Sequence, residues 1–239
     1  PIKSSAASDV YKRQIILVLI GVALSLWAQG RVNSTFSRYS RVRSMTGMTG
    51  AEAARRLLNA QGIYDVTVQQ IAGELTDHYD PRTKTVNLSQ SVYGATSVAA
   101  IGVAAHECGH AMQDNEGYAP LRFRSALVPV ANFGSSLSWP LILLGLVFGG
   151  LGSPLVEIGI LMFSLAVLFQ LVTLPVEYNA SARAVRLLDA QGILAGEEVN
   201  GTRKVLNAAA LTYVAAAATS ILQLLRLIIL FGGRNRRDR

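Results

Sequence analysis

The sequence has a single cysteine, Cys108, so no disulfide can close within the chain. That suits a reducing compartment. Histidine is nearly as scarce, at three in 239 residues. Charge is sparse too: Asp, Glu, Lys and Arg make up 15%, against about a quarter in an ordinary soluble domain. The charge present is lopsided, with 22 Lys and Arg against 15 Asp and Glu. No basic patch with interleaved aromatics sits on a recognisable module, which argues against a nucleic-acid partner.

Apolar residues are plentiful, at 51%, and they come in blocks. This pattern predicts a mainly α membrane protein with three to four transmembrane helices. The basic residues stand beside the blocks, in "RVNSTFSRYSRVR" (31–43) and "RNRRDR" (234–239). That placement suits anionic headgroups, so membrane lipid is an expected partner.

"IILVLIGVALSLWAQG" (15–30) is short for a span, which needs about 20 residues, and reads as a truncated transmembrane helix. Ahead of it, "SSAASDVYKRQ" (4–14) back-translates codon by codon into a transposase sequencing adapter. Residues 1–14 are therefore read as an artefact and set aside. Without them the formal net charge falls from +7 to +5.

Residues 31–136 form a more polar, mixed α/β segment. Thr49 and Glu52 have capping-box spacing at the head of a helix over 49–62, which Gly62 can end. Strand-like composition marks 64–73 and 83–89, with a turn over 78–84 at Asp80-Pro81. A small-residue run from about Thr96 to Gln113 suits a tightly packed helix. Residues 137–175 read as a transmembrane hairpin turning near "GGLGSP" (149–154), with Pro140 and Glu157 near the helix ends. A helical segment, 176–210, follows. Residues 211–231 then span or re-enter, with Arg226 inside them, before the basic tail 232–239. "RRLLNAQGI" (55–63) and "VRLLDAQGI" (185–193) echo one another as one helix-ending solution used twice.

Two of the three histidines fall in "AAHECGHAMQ" (104–113). On a helix, residues four apart share a face, so His106 and His110 can offer two imidazoles to one metal ion. Glu107 then flanks that ion and can act as a general base toward water. This is the HExxH arrangement of zinc peptidases. Small neighbours, Ala104, Ala105, Gly109 and Ala111, would let metal and substrate approach the helix. The strand-like stretch upstream would supply a substrate-binding edge.

A catalytic zinc takes three protein ligands and leaves one open place. His78 and Glu177 are both candidates for the third. Glu177 follows the hairpin, and two crossings return the chain to the side it left. A carboxylate at a helix start, favoured by the dipole, is the bland alternative. His78, in "LTDHYDP" (75–81), could bind metal, stabilise an oxyanion or cap a turn. Asp77, Tyr79 and Asp80 read as turn and hydrogen-bonding residues.

The segments "GMTGAEAARRLL", "LTDHYDPRTKTVNLS", "VAAHECGHAMQ", "GYAPLRFRSALVPVAN", "LVTLPVEYNASARA" and "KVLNAAALTYVAAA" fall in order along the chain. In these the sequence resembles the membrane-bound neutral zinc metallopeptidases of bacteria, from about Val22 to Leu230. The resemblance implies an integral membrane protein of the bacterial cell membrane with a small α+β zincin-like core. It implies one Zn2+ per chain and peptide or protein substrates. His106 and His110 would be ligands and Glu107 the catalytic base. Glu177 is similar to the third ligand of membrane gluzincins, whose pattern is Glu-x-x-x-Asp. Here Ser181 stands where that Asp would be, leaving Asp114 or Asp77 to orient a histidine ligand.

The basic run after the first span places the catalytic face in the cytoplasm. A crossing by 211–231 would put the basic tail outside, against the same rule. The leading expectation is a zinc endopeptidase, with Glu107 and His78 as catalytic groups and His106, His110 and Glu177 as metal ligands. Two alternatives are a membrane scaffold or chaperone with a structural metal, which would need a fourth ligand, and a transporter, which would need charged residues in the spans.

Overall fold

The computed structural model describes residues 2–150 and 153–231, the side chains of 2–11 and 13 excepted. The basic tail and part of the hairpin turn lie outside the described residues. So do most side chains of the segment read as an adapter. Seven helices and three strands follow in order: α1 (Ile2–Ser40), α2 (Gly50–Ala60), β1 (Thr67–Ile71), β2 (His78–Asp80), β3 (Thr85–Ser89), α3 (Gln90–Tyr93), α4 (Val98–Asn115), α5 (Ala119–Gly149), α6 (Pro154–Ala190) and α7 (Glu197–Phe231). They divide between two compact units.

The first unit holds residues 1–27, 123–173 and 213–239. It contains the apolar parts of α1, α5, α6 and α7, the four helices long and apolar enough to cross a membrane. Large apolar side chains such as Leu26, Trp27, Val147 and Phe148 face outward, as lipid contact requires. Gly21 lies against Thr219, whose hydroxyl donates to the Gly21 carbonyl at 3.2 Å. A small residue and a cross-helix hydrogen bond are the means by which apolar helices associate where water gives no driving force.

Several boundaries differ from expectation, and α6 runs unbroken through Pro175 to Ala190. Helix α1 runs through the basic stretch to Ser40, because nothing in 31–40 breaks a helix. Helix α5 starts at Ala119 and carries both Pro129 and Pro140 inside it, so Pro140 does not mark an end. Proline is tolerated there because neighbouring helices and hydroxyl side chains can re-satisfy the freed carbonyls. Residues 211–231 are the second half of one unbroken helix with no re-entrant turn. Helix α5 ends at Gly149 and α6 starts at Pro154.

The second unit holds residues 28–122 and 174–212. Its core packs Leu57 and Leu58 of α2, Leu88 of β3, Ile101 of α4 and Leu188 of α6. Each such side chain contributes roughly 1.5–3 kcal/mol by leaving water. The Thr49–Glu52 capping box forms at the head of α2. The echoed sequences do end their helices alike. Gly62 and Gly192 take positive φ, of 69° and 59°. The amides of Ile63 and Ile193 reach back to the carbonyls of Leu58 and Leu188, each at 3.0 Å, a Schellman ending in both cases.

The sheet has the order β1-β3-β2, with β3 parallel to β1 and antiparallel to β2. Residues expected as a turn, His78–Asp80, form a strand, and the turn follows it with Lys84 at φ 51°. The strand expected at the edge, Thr85–Ser89, is central and buried throughout. The edges are β1 and β2. Strand β3 pairs with β1 along its length and with β2 over Thr85–Asn87, and Val86 and Leu88 fill the core.

Candidate metal centre

Helix α4 is capped by Ser97, whose hydroxyl accepts from the Ala100 amide. It is buried over most of its length. The helix puts His106 and His110 on one face, their rings edge-to-face with centroids 4.7 Å apart. Glu177, on the part of α6 that belongs to the same unit, lies beside them, 2% exposed. Its Oε2 stands 3.2 Å from His106 Nε2 and 3.6 Å from His110 Nε2. Among the described residues these three are the His, Cys, Asp and Glu side chains gathered closely enough to hold a metal ion, their ligand atoms within 4.8 Å of one another.

Small residues make this meeting possible, by a route other than the one expected. Ala104, Ala105 and Ala111 point into the core and are 0–1% exposed, so they open no space for substrate. Gly109 faces α6. A Cβ there would stand 2.6 Å from the Ala180 carbonyl oxygen. The bare glycine lets the two backbones touch beside Glu177.

The outer nitrogens of both histidines are engaged. His106 Nδ1 lies 3.1 Å from Ser181 Oγ. His110 Nδ1 lies 3.0 Å from Gln113 Oε1. Gln113 uses its amide nitrogen to donate to the Val176 carbonyl and to Asn179 Oδ1, each at 2.9 Å. Its Oε1 must therefore accept, so His110 Nδ1 must carry the proton and leave Nε2 free toward Glu177. Arg183 continues the network, from Nε to Asn179 Oδ1 and from Nη1 to Glu116, both at 2.7 Å.

Neither aspartate expected to orient a histidine does so. Asp114 accepts from the Tyr79 hydroxyl at 2.8 Å and from Lys84 Nζ at 2.7 Å. Asp77 accepts from the amide and hydroxyl of Ser89. Burial pushes the Asp77 carboxyl up, and those Ser89 bonds pull part of the way back. Ser181 does the orienting in person, and Gln113 does it for His110. Gln113 was not singled out from sequence, although i+3 from His110 is a helical position that can reach it.

His78 does not join the three donors. Its Nδ1 lies 2.9 Å from the Thr76 carbonyl, so it carries the proton and donates there. Nε2 then accepts from Asn87 Nδ2 at 3.2 Å, and Asn87 accepts in turn from Gln69. Glu107 is buried, at 7% exposed. Among the described residues no group donates a hydrogen bond to its carboxylate.

The donors suit zinc: two imidazoles and a carboxylate. Two donor atoms on a tetrahedral ion with bonds of about 2.0–2.1 Å lie about 3.3 Å apart. The two carboxylate–imidazole separations, 3.2 and 3.6 Å, lie near that value, and all three donor atoms lie within 4.8 Å of one another.

Residues 14–232 match the family described as putative neutral zinc metallopeptidase. The chain belongs to that family. The match leaves out residues 1–13, most of the segment read as an adapter. A relative in Bacillus subtilis (strain 168), named putative membrane protease YugP, is 49% identical over 217 residues, which are 91% of this chain and 96% of the relative. No solved structure matches the chain. The family's zinc and the relative's membrane setting agree with the three-residue group on α4 and α6 and with the four apolar helices.

Proposed function

We propose that the protein is a membrane-embedded zinc endopeptidase. His106, His110 and Glu177 hold one zinc ion, and Glu107 is the general base. The observation that carries this reading is the convergence of two Nε2 atoms and one carboxylate oxygen, with both Nδ1 atoms fixed from behind.

Zinc held by His106, His110 and Glu177 would supply Lewis-acid chemistry toward water and the peptide carbonyl. Glu107 takes a proton from the attacking water and passes it to the leaving amine nitrogen. Burial keeps its carboxylate from bulk water, and among the described residues no hydrogen bond ties it elsewhere. Ser181 and Gln113 hold the imidazole planes. Strand β2, at the sheet edge, offers backbone to which an extended substrate can add. His78 sits on that strand and acts on the substrate side, through its place in the Thr76–Asn87 network.

Substrates on this reading are exposed, unfolded or membrane-proximal segments. The catalytic face is cytoplasmic, since the basic run follows the first span directly. A structural metal site would be closed by four side chains. Among the described residues the group has three.

The test is Glu107→Gln, measured for bound zinc per chain and for cleavage of an unfolded protein in detergent. Zinc should stay and hydrolysis should fall by roughly 10²–10⁴-fold, the contribution of a positioned base. Undiminished cleavage would remove Glu107 from the mechanism.

A further inference from the structure

A cavity of about 570 Å³, in the unit that holds the metal site, lies between α1, α6 and α7. That is within the roughly 300–1,000 Å³ typical of small-ligand sites. Its walls are one-sided in charge. Arg31 and Arg38 come from α1 and Lys204 from α7, and no acidic residue among the described residues lines it. Among the described residues none of these three cations is in an ion pair. Arg38 instead lies over the Tyr39 ring, 5.6 Å from its centroid. Thr35, Tyr178 and Asn207 add neutral hydrogen-bonding groups.

Helical spacing gathers these groups. Arg31, Thr35 and Arg38 are i, i+4 and i+7, one face of α1. Lys204, Asn207 and Leu211 are i, i+3 and i+7, one face of α7. Like charges set together without a counter-ion repel, so the arrangement favours an anionic occupant. Guanidinium groups match phosphate oxygens in pairs, and hydroxyl and amide groups complete such a shell.

The three helices have something else in common. Each passes into an apolar stretch within a few residues of the cavity, α1 before Arg31, α6 before Tyr178 and α7 after Leu211. We propose that this cavity binds the phosphate of an anionic phospholipid. A soluble phosphate compound shares the headgroup chemistry but gains nothing from the apolar parts. The proposal rests on the helices crossing a membrane and is independent of the peptidase reading.

The test is native mass spectrometry of the full chain in detergent, titrated with phosphatidylglycerol, phosphatidylcholine and glycerol 3-phosphate in turn. Wild type should retain phosphatidylglycerol at least ten-fold better than phosphatidylcholine. Each cation near a membrane surface contributes about a five-fold gain, so the combined Arg31→Gln, Arg38→Gln, Lys204→Gln variant should bind about a hundred-fold more weakly. Lys204→Arg should retain the lipid. Arg82→Gln, at a side chain 91% exposed on the sheet side, should change nothing. Should the triple variant not fold, Arg38→Gln and Lys204→Gln singly should each lose about five-fold. Unchanged retention in the variants would overturn the proposal. So would equal retention of the two lipids, or glycerol 3-phosphate competing as well as phosphatidylglycerol.

Discussion

Gly109 of α4 lies against Ala180 of α6, so close that a Cβ would stand 2.6 Å from the Ala180 carbonyl oxygen and 3.0 Å from its Cα. Ala180 sits between Glu177 and Ser181, so the contact sets how far the Glu177 carboxylate and the hydroxyl beside His106 stand from α4. Backbone cannot give way as the end of a long side chain can. Gly109→Ala should therefore cost about 1–3 kcal/mol of stability by overpacking. It should also weaken zinc binding, because α6 must move. Thermal unfolding and bound zinc per chain check both. Full zinc content in a folded Gly109→Ala protein would show that the site tolerates a wider helix separation.

Gln113 stands behind His110 with three of its four hydrogen-bonding positions defined. Gln113→Leu keeps most of the bulk and removes them all, leaving the Val176 carbonyl and the His110 N–H without this partner. Zinc affinity should fall by about 10–100-fold, the usual effect of losing a group that orients a metal ligand. Ser181→Ala should fall less, since Ser181 makes one such bond, to His106. Competition with a chelating dye measures both. Equal affinity in Gln113→Leu and wild type would mean that packing alone orients His110.

Zinc loading should weaken in acid. Burial pulls the His110 imidazole down, but hydrogen bonding to Glu177, the Glu107 charge and Gln113 more than offset it, so its pKa is raised. In the metal-free protein that proton contributes stability fully present below the unfolded value of about 6.5 and lost as pH rises through the raised folded value. Zinc must displace the same proton, so its apparent affinity should drop about ten-fold per pH unit below the folded value. Titrations between pH 5 and 8 test this. A flat affinity across that range would place the competing proton elsewhere.

Much of this was legible because it is local. HExxH spacing, the Thr49–Glu52 box and the twin "LL-x-AQGI" endings each depend on residues within a turn or two of one another. Glu177 could be brought near the histidines only through the hairpin, and it is found there. What sequence did not disclose depends on partners far along the chain. The alanines of α4 face the core and Gly109 faces α6, a distinction set by which helix packs on which side. His78–Asp80 resembled a turn because Pro81 follows directly, yet pairing with β3 holds it extended. Asp114 and Asp77 had the right chemistry to orient a histidine, but Lys84 and Ser89 occupy them.

The two candidates for the third ligand part company in one experiment. His78 has both ring nitrogens engaged with Thr76 and Asn87 on the sheet, while Glu177 has its carboxylate beside both histidines. Glu177→Ala should lose bound zinc at a stoichiometry that wild type retains, and His106→Ala should do the same. His78→Ala should keep the metal in full. If His78 acts on substrate, its variant should lower turnover with zinc in place. If it only ties β2 to β3, turnover should follow stability, and Asn87→Ala should reproduce the loss. Retention of zinc without Glu177 would mean that the carboxylate on α6 serves to balance charge beside the histidines, with the third ligand supplied by another group.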